Sequence, residues 1–370
     1  MAIRLTLVVL LYTLLTVPVM SAQNTNEDPL RIAIAGLSHD HVHWIFGREN
    51  PDDIEIAGIY ESNPELQRRY ATQYNLPDSL FYDDLLVMLD EVQPEAVSAF
   101  GPTYDHLAIV EASAPRGIHV MVEKPLAVNL EHANKMGRLA DQFGIHIITN
   151  YETTWYASNQ RVYEQFYESP DMGAIKKIVV HDGHRGPKEI GVSDEFLQWL
   201  TDPVLNGGGA IMDFGCYGAN LITWLHNGDE PLSVTAITQT LKPDIYPRVD
   251  DEATIILTYP ESQGIIQASW NWPYNRKDLH VYGQRGYSYA QNSEQIEILQ
   301  PGNASPEILT LSPRPAPFHD PFSYFAALVR GEIQIQDTDL SSLPNNITVM
   351  KILDAARKSA RSGETVYLND

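Results

Sequence analysis

The chain has 370 residues, enough for a large core and two domains. Its formal charge of -23 opposes binding to nucleic acid or an anionic membrane through long-range repulsion. Cys216 is the only cysteine, which excludes an internal disulfide and leaves stability to packing.

Arg4 precedes an apolar run that begins at Leu5 and closes on the small residues Ser21 and Ala22. This is the pattern of a secretory leader over residues 1–22, followed by a polar linker over 23–30. It predicts export, into the periplasm of a bacterium, with no membrane association once the leader is removed. No later stretch is long and apolar enough to span a bilayer.

Residues 31–150 read as a first domain of alternating strands and helices. Arg31 to Gly36 is an apolar strand running into a glycine turn, whose backbone amides and following helix would face a pyrophosphate. Gly36 fits the first position of G-x-G-x-x-G/A, but Ser38 and His41 replace the later small residues, and His39 lies between them. Ile54 to Tyr60 is the second strand. Glu61 then stands where a carboxylate accepts hydrogen bonds from an adenosine ribose and repels a 2'-phosphate, which favours NAD over NADP. Helical patterns follow at Pro64–Tyr74 and Asp83–Leu89, then a strand at Ala96–Phe100 broken by Gly101-Pro102-Thr103. A helix at Asp105–Ala114 leads to the strand Ile118–Val122, which runs into Glu123-Lys124-Pro125. Pro125 stops the ladder and biases Lys124 toward extended backbone, giving its side chain a reproducible direction. Asn129 caps a helix with an apolar stripe of Leu130, Ala133, Met136 and Ala140, and Ile145–Thr149 is the last strand before Asn150 and Tyr151.

Residues 151–370 read as a second domain. A helical stretch at Thr153–Asp171 precedes a strand at Ile175–Val180, and His181-Asp182-Gly183-His184 follows directly. Phe196–Leu205 is helical in pattern and ends at three glycines, Gly207 to Gly209. If Ala210 onward is helical, Asp213 and Tyr217 share one face and reach the same cleft. Strands at Val234–Thr240, Ala253–Tyr259, Gly264–Ser269 and Leu279–Tyr282 predict an open antiparallel or mixed sheet. Helices at Phe322–Val329 and Val349–Ala360 return to cover the domains.

Glu123-Lys124-Pro125, preceded by Pro102 and His106 and followed by the glycine-led segment carrying Asp213, Gly215 and Tyr217, resembles the signature of the Gfo/Idh/MocA superfamily. The resemblance covers about residues 31 to 366. It implies an α/β plus α+β protein, with an N-terminal Rossmann-like dinucleotide domain and a C-terminal mixed or antiparallel open-sheet domain. It also implies that Lys124, Asp213 and Tyr217 meet around a sugar hydroxyl and the nicotinamide. Tyrosine in place of the histidine of other members means that proton-transfer roles do not carry over automatically. The cofactor is expected against Gly36, Ser38, His39, His41, Glu61, Pro102, His106, Glu123 and Lys124, with His106 capping or orienting this region. A carbohydrate or glycoside is expected against Tyr151, His181, His184, Trp270 and Trp272, the two tryptophans serving as a stacking wall or as core.

The resulting expectation is an exported carbohydrate oxidoreductase with tightly bound NAD, forming a homodimer or homotetramer through its open sheet. Three alternatives stand beside it. One is a glycosidase or lyase that oxidises the sugar transiently. Another is a metal-assisted sugar lyase or hydrolase using His39 and His43, or His181 and His184, with Asp40 or Asp182. The last is a noncatalytic sugar-binding protein. With no complete zinc motif, the expectation is that no metal is bound.

Overall fold

The computed structural model describes residues 28–48, 52–168 and 170–368, so the expected leader and the linker up to residue 27 lie outside the described residues. The first sheet has six strands: β1 (Leu30–Ala35), β2 (Ile54–Tyr60), β3 (Phe81–Tyr82), β4 (Ala96–Ala99), β5 (His119–Glu123) and β6 (Ile147–Asn150). Their order is β3-β2-β1-β4-β5-β6 and every pairing is parallel. Helical crossovers cover both faces, which is why β4 is buried at every position. Strand order reverses between β1 and β4, and a crevice opens there at the carboxyl ends of the strands.

Local sequence fixes the crossovers. The helix Pro64–Tyr74 begins with the Asn63 side chain accepting from the Glu65 and Leu66 amides and a proline at its first position, and it ends at Asn75 in left-handed conformation. The helix Leu130–Phe143 is capped by Asn129 and stops at Gly144, with Ala133, Met136 and Ala140 buried.

The second sheet has nine strands: β7 (Ile175–Gly183), β8 (Ser233–Gln239), β9 (Glu252–Thr258), β10 (Gln263–Ser269), β11 (Arg276–Gly283), β12 (Tyr287–Ala290), β13 (Gln295–Leu299), β14 (Glu307–Thr310) and β15 (Val366–Tyr367). The order is β14-β13-β12-β11-β7-β10-β9-β8-β15, with β7 and β10 parallel and the other neighbours antiparallel, so the sheet is mixed. Against it lies the helix Gly215–Leu225, buried along its whole length, and then the helix Leu343–Ser362. The shorter helix Pro321–Val329 returns to the first domain, where Phe322 and Phe325 join Leu30, Ile32 and Ile34 in one core.

Three differences between the sequence reading and the structure bear on the second domain. The helix expected over Thr153–Asp171 is a 3-10 turn at Glu152–Trp155 followed by an α-helix at Ala157–Tyr167. The single helix expected from Ala210 is two, Ala210–Asp213 and Gly215–Leu225, separated at Phe214. Strands β12 to β14 were not expected, because each is five residues or fewer and broken by polar turns.

Candidate active site

Backbone shape comes first at the crevice. Gly36 has φ +86°, and a Cβ there would lie 2.9 Å from the Gly101 nitrogen, so β1 and β4 approach this closely only around glycine. A cleft of about 390 Å³ opens beside them, lined by Gly36, Ser38, Glu61 and Pro102 among others. Glu61 is 8% exposed, and its carboxylate accepts from the Leu37 amide at 2.9 Å and the Asn63 amide at 2.8 Å. Burial raises its pKa. The same carboxylate therefore shapes the glycine turn and keeps further lone pairs at the cleft it lines.

The histidines of the turn divide. His41 lines the larger cavity, stacks on Trp44 at 3.9 Å, and shares its Nδ1 with Glu123 Oε2 at 2.9 Å. Glu123 takes its other hydrogen bond from Asn150 at 2.7 Å, so this buried acid fixes His41 rather than facing the cavity itself. His39 departs from its expected place against the cofactor: its ring is buried beside Phe196, at 4.4 Å between centroids, and lines neither cavity. His106 is buried too, and its Nδ1 is hydrogen-bonded to the Leu126 carbonyl at 3.1 Å. Burial pushes its pKa down to about 4, so it is a neutral brace of the turn that carries Lys124.

Lys124 ends β5 at a cis peptide bond to Pro125 and points across to the second domain. Its ammonium donates to Asp213 Oδ1 and to the Asp213 carbonyl at 3.3 Å. Asp213 Oδ2 accepts from the Trp270 indole N–H at 2.9 Å. Burial opposes the charge on Lys124, but Asp213 outweighs it and pushes the lysine pKa up to about 12. Burial likewise opposes the Asp213 carboxylate, and Lys124 outweighs it, holding that pKa below the usual range. At neutral pH the pair is an ammonium and a carboxylate. Tyr217 completes the group with its ring 5.3 Å from the lysine nitrogen, although Asp213 and Tyr217 sit on different short helices and not on one helical face.

These residues line a cavity of about 900 Å³ with Asp40, His41, Glu152, Tyr156, His184 and Lys277. The His184 Nδ1 accepts from the Gly186 amide at 2.9 Å, and burial pushes its pKa down to about 4, so a neutral ring carries its proton on Nε2 and offers a donor. Burial, followed by Glu152 and Asp182, raises the Tyr217 pKa well above its ordinary value, which makes it a neutral phenol.

The remaining substrate expectations are met only in part. Trp270 is fully buried and serves Asp213, so it is no stacking wall. Trp272 lies outside the cavity lining with Arg276 over its ring at 5.7 Å. His181 is tied to Asp278 at 2.9 Å and stands behind the wall. Tyr151 is buried and meets Tyr217 edge-on at 5.3 Å.

Two family models match the chain: an oxidoreductase family with an NAD-binding Rossmann fold over residues 30–151, and the Gfo/Idh/MocA C-terminal domain over 160–288. The chain belongs to the Gfo/Idh/MocA family. A D-glucoside 3-dehydrogenase of Escherichia coli is 28% identical over 193 residues, 52% of this chain and 52% of that protein. An NADP(+) scyllo-inositol 2-dehydrogenase of Bacillus subtilis is 20% identical over 338 residues, 89% of this chain and 96% of the other. Several curated relatives are matched over only 52% to 61% of their own length. In fold, the chain is similar to an inositol dehydrogenase homolog from Azotobacter vinelandii complexed with NAD+, with TM-score 0.78, 18% identity and coverage of 92% and 97%.

Within this family frame, sequence reasoning missed Lys277 and Glu152. Glu152 Oε2 accepts from the Lys277 ammonium at 2.5 Å, and its Oε1 accepts from the Tyr156 hydroxyl at 2.5 Å. The strand ending at Tyr282 was expected to begin at Leu279; it begins at Arg276, and register with β7 then puts Lys277 directly opposite Asp182. The available signal was the alternation of Lys277, Leu279 and Val281 on one face, with charge only at its end.

One group among the described residues brings potential metal donors within 4.8 Å of one another: His39, His41 and Glu123. The His39 Nδ1 accepts from the His41 amide at 3.1 Å, so its neutral ring carries hydrogen on Nε2, while the His41 Nδ1 is spent on Glu123. Three free lone pairs do not converge there. His43 is engaged elsewhere, with the Tyr74 hydroxyl at 2.5 Å.

Proposed function

We propose that the protein is an NAD-dependent carbohydrate oxidoreductase acting on a secondary alcohol of a sugar or glycoside. The observation that carries the reading is the Lys124 ammonium, fixed by Asp213 between the nucleotide-side turn and the 900 Å³ cavity. The Gly36–Gly101 approach and the lone pairs of Glu61 suit a dinucleotide. NAD, when bound, supplies the hydride acceptor. Every other task falls to the chain. Lys124 stabilises the negative charge that develops on the reacting oxygen and relays the alcohol proton, taking it up as it hands one of its own to the Asp213 carboxylate, which ends protonated. His184 and Tyr217 donate hydrogen bonds into the cavity and orient the substrate.

Preference for NAD over NADP rests on Glu61, whose carboxylate would meet a 2'-phosphate with repulsion. Export to the periplasm rests on the apolar stretch after Arg4, and a tightly held cofactor suits that setting. Among the described residues no helix is long and apolar enough to cross a membrane.

Mass analysis of nucleotide released from protein purified without additions should find NAD. Rapid mixing with a panel of sugars, cyclitols and glycosides should then show bound NAD being reduced, and product analysis separates net oxidation from oxidation followed by bond cleavage. Absence of any nucleotide, with no binding of NAD or NADP by calorimetry, would sink the proposal.

A further inference from the structure

Lys277 lines the cavity from β11, and like Lys124 it lies against the Tyr217 ring. Its ammonium lies 2.5 Å from Glu152 Oε2, 3.5 Å from the Tyr217 hydroxyl oxygen and 4.5 Å from the centre of the Tyr217 ring. Glu152 stands in the turn just after β6, the last strand of the first sheet, so this contact ties the segment leaving that sheet to β11 of the second. Behind Lys277, on the neighbouring strand, is Asp182, 1% exposed and with one carboxyl oxygen lacking any partner. Burial raises the Asp182 pKa well above the ordinary carboxylate value, against the pull of Lys277, and the carboxylate in direct contact with the ammonium is that of Glu152.

We propose that Lys277, anchored by Glu152, is a positioning residue that fixes the direction of the Tyr217 hydroxyl hydrogen toward the substrate oxygen. An ammonium has three donors and no acceptor. When it donates to the Tyr217 oxygen, the phenolic hydrogen cannot point back at Lys277 and is left to face the cavity that Tyr217 lines. This inference rests on the proposed oxidoreductase reading and adds a residue that the family signature does not contain. It makes Tyr217 a directed donor, polarised by the ammonium 3.5 Å behind its oxygen, where a phenol without that neighbour has two in-plane hydrogen positions open to it.

The test compares Lys277→Met, Lys277→Arg, Tyr217→Phe and the Lys277→Met/Tyr217→Phe double variant, each first checked for unchanged NAD affinity and for a cooperative melting transition above the assay temperature. With a substrate found in the sugar panel, Lys277→Met should lower kcat roughly tenfold, a typical worth for one charge-assisted hydrogen bond. The double variant should lose no more than Tyr217→Phe alone, and Lys277→Arg should recover part of the rate. Fully additive losses, or an unchanged rate in Lys277→Met, overturn the proposal. A second readout does not depend on turnover: the tyrosine ring-carbon NMR resonance that disappears in Tyr217→Phe should shift in Lys277→Met. If the panel yields no substrate, the oxidoreductase reading fails by itself, and an unshifted resonance overturns the positioning role separately.

Discussion

The two cavities are built by opposite means. The nucleotide cleft is made mostly by backbone: Gly36 against Gly101, and one acid whose oxygens bind the Leu37 and Asn63 amides. The neighbouring cavity is made by side chains from separated segments: Lys124 after β5, Glu152 after β6, Asp213 between two short helices, Trp270 after β10 and Lys277 in β11. A backbone-built site tolerates unusual side chains, which is how Ser38 and His41 stand where small residues are usual. A site of paired charges does not, because removing one partner leaves a buried charge without compensation.

The sharpest way to break this comparison is Lys124→Ala. Turnover should fall about 10²- to 10⁴-fold, the range for removing a proton-transfer or charge-stabilising group, with NAD affinity nearly unchanged. Stopped-flow reduction of bound NAD and a fluorescence titration of NADH read the two effects separately. An equal loss in both would merge the two regions into one. Next in size, Gly36→Ala should weaken NAD binding by about tenfold or more, because a side chain at positive φ is strained and its Cβ meets backbone that cannot swing away. Calorimetry with the folded variant checks it, and unchanged affinity would remove the backbone argument. Trp270→Phe keeps an aromatic ring in the core, at the cost of some packing volume, but leaves Asp213 Oδ2 without its donor, and should lower kcat by about tenfold while NAD affinity stays.

The sequence disclosed the backbone-built half more fully than the other. The strand-turn pattern ending at Gly36, the acid after β2 and the proline after Lys124 are local features with local physical meaning, and five of the six strands of the parallel sheet follow from their alternation with helices, the two-residue β3 being too short to show a pattern. Lys124 and Asp213 were legible only through the family signature. Lys277, Glu152 and the buried role of Trp270 were not legible, because they depend on where β11 begins and on which indole edge faces Asp213. The same dependence explains why His39 and His181, polar residues beside obvious turns, proved to be packed behind the walls.

The smallest predicted effect concerns stability, and it tests whether the Lys277–Glu152 pair helps hold the side-chain half together. Burial disfavours the Glu152 carboxylate, but Lys277 and the Tyr156 hydroxyl outweigh it and hold its pKa at about 2. A carboxyl whose folded pKa lies below the unfolded value, about 4.3, contributes stability that is fully present above the unfolded pKa. That contribution is lost as the pH falls through the folded pKa, so the window runs from about 4.3 down to about 2. The side chain is 36% exposed, so solvent screening reduces the pair's worth to about 1 kcal/mol. Glu152→Gln should therefore be less stable than the parent at pH 7 by about that amount, and the difference should shrink between pH 4.3 and pH 2 as the parent's carboxyl takes up its proton. Urea unfolding at a series of pH values measures it. A constant gap across the window would mean that Glu152 acts there as a shape-filling residue, and the second cavity would owe its rigidity to Lys124 and Asp213 alone.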